Sequence, residues 1–130
     1  MPGFSDYIEN AVLNWLRGTA MPTAPAGLYV GLFSSDPTDA SSGGTEVTTT
    51  VRAAGRPAAT FGASTTGTMS NSAKVDFGNA AGGATVSHFA LFDAASGGTK
   101  LFSGALTLSK TVTQGDPVYF DVGSLTINSD

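Results

Sequence analysis

Cysteine is absent from the 130 residues. That excludes disulfides and thiolate metal sites, and leaves the redox compartment open. Histidine occurs once, as His88. A nucleophilic triad needs a base within reach of a Ser or Cys and an orienting carboxylate. His88 falls inside a strand pattern, and no Gly-x-Ser-x-Gly elbow exists. It therefore reads as a sheet histidine with local hydrogen bonds. Charge is scarce too, at 12% of residues, about half the usual share. The six cations (Arg17, Arg52, Arg56, Lys74, Lys100 and Lys110) are scattered, and the net charge is −4. Binding a nucleic-acid duplex requires clustered cations that displace counterions, so no nucleic-acid partner is expected. No apolar run approaches the roughly 20 residues of a membrane helix, so no membrane partner is expected. No basic segment followed by an apolar one opens the chain, so no secretion signal is expected.

What is present is glycine (17 residues) among many Ser, Thr and Ala, with 41% apolar residues in short clusters. Short strands joined by Gly/Ser turns fit that composition. The reading centres on Ala84–Thr107. Two runs of β-branched and aromatic residues, Ala84–Phe92 and Thr99–Thr107, flank Asp93-Ala94-Ala95-Ser96-Gly97-Gly98. That is a β-hairpin pattern. Strict alternation would put Val86, His88, Ala90 and Phe92 on one face and Thr85, Ser87, Phe89 and Leu91 on the other. Neither face is polar from Phe89 to Phe92, which predicts cover on both sides. Gly104 in mid-strand predicts a bulge or the close approach of another backbone.

The N-terminal residues differ in period. Ile8, Val12 and Trp15 or Leu16 recur at helical spacing, with Ala11 and Leu13 beside them. Asp6 and Glu9 suggest a capping box, with Ser5 as the alternative cap. Arg17 and Gly18 close the pattern, so a single helix is predicted over Asp6–Arg17. About three turns are marginal alone, so the apolar stripe should dock, either plugging a sheet edge or placing Trp15 on another subunit. Pro22 and Pro25 mark an extended connector. Strands are predicted at Gly27–Phe33, Thr45–Ala53, Ala58–Phe61, Ala73–Phe77, Leu106–Val112 and Pro117–Val122. Leu125 and Ile127 end a last strand. Ser34–Gly44 and Gly62–Ser72 read as surface loops, the first mobile or a contact element. The expectation is a mostly β fold. It is an antiparallel β-sandwich, jelly-roll-like, with about eight strands and one N-terminal helix. One domain over 1–130 is expected, with the helix in 1–18 and the sandwich in 27–130.

Acidic residues give no clear chemistry. Asp36, Asp39 and Glu46 flank one loop, but their spacing is not that of an EF-hand. Asp76, Asp93, Asp116 and Asp121 sit at strand ends and turns, where Asp is common. No catalytic, cofactor-binding or metal residue is assigned.

Several segments together resemble a family of small tailed-bacteriophage virion proteins. They are Phe4–Asn10, Leu28–Phe33, Ser35–Thr38, Gly44–Val47, Ser70–Ala73, Val86–Ala94 and Leu101–Leu106. The chain departs from the family at Thr50-Val51-Arg52, where Tyr-Ala-Arg is usual, and at Gly82-Gly83, where a Trp is common. The resemblance implies a non-enzymatic structural protein without cofactors, made in the host cytoplasm and carried on the virion. Members decorate heads or belong to tails or fibres. The small domain with no visible stalk leads us to expect a capsid decoration (cement) protein partnering the major capsid protein. A tail-fibre or minor tail protein partnering tail proteins is the alternative, and a carbohydrate-binding module is a third. Small or apolar residues on both faces at Phe89–Phe92 and Ala105–Thr107 suggest a homo-oligomer, expected to be a trimer. Contact residues are expected at Phe4, Tyr7, Trp15, Asp36, Pro37, Phe89 and Phe92.

Overall fold

The computed structural model describes residues 3–40, 42–47 and 55–128. Nine strands and one helix are present among them. In chain order they are β1 (Gly3–Phe4), α1 (Asp6–Leu16), β2 (Leu28–Phe33), β3 (Ala58–Ala59), β4 (Thr68–Ser70), β5 (Val75–Asn79), β6 (Ala84–Phe92), β7 (Lys100–Val112), β8 (Pro117–Phe120) and β9 (Thr126–Asn128). The fold is the mostly β, antiparallel sandwich with one N-terminal helix that the sequence predicts. The second layer is more broken than a jelly roll suggests. One sheet has the order β1-β7-β6-β2-β3, and two two-stranded ribbons, β4-β9 and β5-β8, oppose it.

The main core lies between sheet and ribbons. Val30, Leu32, Phe89, Leu91 and Phe102 from the sheet meet Val75, Phe77, Leu125 and Ile127 from the other layer. Alternation explains the sheet side. Leu32 lies opposite Phe89, and Val30 opposite Leu91, so the same parity on both strands points inward. Parity fails once, and the failure corrects the predicted faces. Val86 joins Phe89 and Leu91 in the core, because the register shifts between Val86 and His88. There a single β6 residue, Ser87, faces the four β7 residues between Ala105 and Lys110, a bulge that resets which side chains point in. The run predicted as a separate strand at Leu106–Val112 is the continuation of β7 through this bulge.

Gly104 has a different explanation from the one expected. A Cβ there would sit 2.8 Å from Phe89 Cε1, so it is an aromatic ring that approaches closely. β4 lies in Gly62–Ser72, which reads as loop, because its partner β9 supplies the ladder. The strand expected at Thr45–Ala53 falls largely outside the described residues; within them Glu46 bridges Phe33. A turn at Gln114-Gly115 follows β7, and β8 pairs with β5 and not with β7.

Both sides of Phe89–Phe92 are covered, as predicted, and the outer cover is loop. Phe33, Ala90 and Phe92 form a second buried cluster, with Phe33 and Phe92 stacked at 6.2 Å. The Arg56 guanidinium lies 3.5 Å from the Phe92 ring centroid. It also binds Glu46 through two hydrogen bonds, at 2.7 and 2.8 Å. Its third nitrogen donates to the carbonyls of Ala94 and Gly97 in the hairpin loop. Gly31 makes room, since a Cβ there would lie 2.6 Å from Glu46 Oε2.

Candidate interaction surface

The helix is the part of the chain least absorbed by the fold. Ser5 caps it: its hydroxyl accepts from the Ile8 amide at 3.5 Å, and its own backbone is extended. The cap is therefore Ser5, and the box expected from Asp6 and Glu9 does not form. At the other end Thr19 N–H reaches the Asn14 carbonyl and Gly18 N–H the Trp15 carbonyl, with Gly18 at φ +106°. That pattern is a Schellman stop and ends α1 at Leu16, one residue before the predicted end.

No residue of α1 is buried. The stripe expected to dock is split in two. Ile8 and Ala11 are half-buried, while Leu13 is 62% and Leu16 69% exposed. Trp15, at 56%, does not plug the sheet. Beside the helix, the connector with Met21 and Pro22 walls an apolar groove of about 430 Å³. Tyr7, Leu28, Met69 and Ile127 line it as well. A second apolar projection is Leu108, 81% exposed, on the β7 bulge.

The expected contact residues scatter. Tyr7 and Trp15 are exposed on α1. Phe4 is half-buried and packs edge-on to Phe102 at 5.8 Å. Pro37 is buried, and Phe89 and Phe92 are spent in the two cores. Asp36 turns its carboxylate to the Thr38 amide at 2.9 Å, which holds it below the usual carboxylate range. The loop from Ser34 to Gly44 is anchored through its described residues: Lys100, 3% exposed, donates to the carbonyls of Pro37 and Thr38 at 2.6 and 2.7 Å. Burial lowers the Lys100 pKa, and Asp39, Asp36 and Asp6 oppose that shift.

Acidic residues regroup in a way the spacing does not show. Glu46 is held by Arg56, away from Asp39. Asp39 instead joins Asp6 and Glu9, with carboxylate oxygens within 4.8 Å of one another at the start of α1. The contact that joins them is the Asp6 amide on the Asp39 carbonyl, 2.8 Å. His88 Nδ1 lies 2.7 Å from the hydroxyl of its chain neighbour Ser87, a local contact within the bulge.

Three residues that sequence reasoning assigned no such role carry much of the frame: Arg56, Lys100 and Asn71. Asn71 is 1% exposed. Its amide donates to the Ala73 and Asp121 carbonyls and accepts from the Leu125 amide, each at 2.9 Å. A lone Asn between serines gives no signal of this in the sequence.

The two packed layers carry an exposed amphipathic helix and a neighbouring apolar groove. A family model described as "Podophage GP4 fiber I protein gp80" matches residues 3–128. No curated protein matches the chain.

Proposed function

The chain belongs to the podophage GP4 fiber I protein gp80 family, and we propose that it is a non-enzymatic building block of a phage fibre, assembled on the tail with other virion proteins. The family match over residues 3–128 carries this reading. It favours a fibre over the head decoration expected from the sequence. The anatomy suits the role. Two acidic groups are committed to structure, Glu46 on Arg56 and Asp36 on Thr38. Apolar residues are left over on α1, where a neighbouring subunit would bury them. Immunogold labelling of purified virions with antibody against this chain tests the proposal. Gold confined to tail appendages is the expected result. Gold spread over the head would replace it with decoration.

A further inference from the structure

We propose that the apolar groove beside α1 is a ligand site, and that it takes a slender amphipathic cation: a primary ammonium on an unbranched hydrocarbon chain. The inference holds wherever on the virion the protein sits. At about 430 Å³, the groove has the size of a small-molecule pocket. Its floor is the main core itself: Leu91, Phe102 and Ile127 line it, and each is 5% exposed or less. Only a narrow apolar group reaches side chains so nearly covered. Met21 and Met69 stand in the walls, and their unbranched thioethers adapt to a flexible chain.

Charge selects the head group. Among the described residues that line the groove, Asp93 alone is charged. Alternation from β6 into the hairpin loop brings it to the side of Leu91, two residues before. Its Oδ1 accepts from the Thr99 amide at 2.7 Å, which fixes the carboxylate at the start of that loop. No ion pair among the described residues includes Asp93. A half-buried carboxylate beside apolar walls loses hydration without gaining a cation. An ammonium on the ligand supplies one through a charge-assisted hydrogen bond. The surroundings carry the same sign. Asp6 and Glu9 flank Tyr7 and Ile8, the helix residues that line the groove. Lys100 precedes Leu101 of the wall, but its ammonium is held on the Pro37 and Thr38 carbonyls. A fatty carboxylate or a phosphate head would therefore meet like charge.

Isotope labelling of the methionine methyl groups in the full-length chain gives the readout by NMR, because Met21 and Met69 report from the groove. The probes are octylammonium, octanoate and octanol, which share one chain length and differ in head charge. Octylammonium is expected to shift both methyl signals saturably, with a Kd on the order of 1 mM or below. Octanoate is expected to bind at least tenfold more weakly. Asp93→Asn keeps an acceptor for the Thr99 amide and removes the charge. It should weaken octylammonium roughly tenfold and leave octanol unchanged. Absence of a saturable shift with octylammonium would overturn the proposal. So would equal binding of all three probes, the mark of an apolar slot that any hydrophobic segment of a partner protein fills. An Asp93→Asn chain that binds octylammonium as the native chain does would overturn it too. The three-probe comparison on the native chain decides the matter whether or not that variant folds.

Discussion

Asn71 shows how much one polar side chain can hold. Its three hydrogen bonds tie the segment after β4 to the turn at Asp121 and to Leu125 at the edge of β9. Asn71→Ala would strand two carbonyls and one amide, so it should lower stability by about 2–3 kcal/mol in urea unfolding. Gly104→Ala acts by the opposite route. The added methyl meets the buried Phe89 ring, and a loss of about 1–3 kcal/mol is expected. Acid should act through Asp116 as well. Its carboxylate accepts from the Thr113 amide and hydroxyl at 2.9 and 3.0 Å, which lowers its pKa below 3.8. A depressed folded-state pKa gives stability that is present above the unfolded value and lost as pH falls through the folded one. Melting temperature should therefore fall as pH drops below 3.8, and Asp116→Asn should flatten that limb. None of these roles is visible in residue spacing. Asn71 depends on Leu125, 54 residues away, and Gly104 on Phe89 of the neighbouring strand, whereas Asp116 closes a local turn on Thr113.

Elements were far more legible. Helical spacing from Ile8 and the Ser5 and Gly18 signals place α1 within one residue at each end. The hairpin follows from alternation at Phe89–Phe92 and the Asp93–Gly98 turn. Alternation misleads at Ser87–His88, because a bulge is set by the partner strand and leaves no mark in β6 itself. Local pattern likewise predicts that a three-turn apolar stripe must dock, but docking is a tertiary outcome, and here Ile8 and Ala11 are half-buried while Leu13, Trp15 and Leu16 face outward. Trp15→Ala in the monomer should therefore change stability by no more than about 0.5 kcal/mol. The several-fold larger loss of a core plug would contradict the observed exposure. The loop cover over Phe92 behaves differently. Arg56→Met leaves Glu46 unpaired over a buried surface and frees the hairpin loop. A loss of about 3 kcal/mol is expected from chemical denaturation.

At the scale of the molecule, a two-layer body leaves apolar residues on the outside: on α1, in the groove beside it and on the β7 bulge. The sequence conveys the fold class, and its resemblance points to a virion protein. It does not convey which apolar residues the fold leaves over, because that depends on how well sheet and ribbons cover each other. Repeated fibre subunits need such leftover surface, and isolated enzymes do not. The most direct test of the fibre account is the copy number of this chain in purified virions, by quantitative mass spectrometry against the major capsid protein. Tails carry few copies of each part, set by their rotational symmetry, so about a dozen or a small multiple of it is expected. Hundreds of copies, scaling with the capsid protein, would contradict the account.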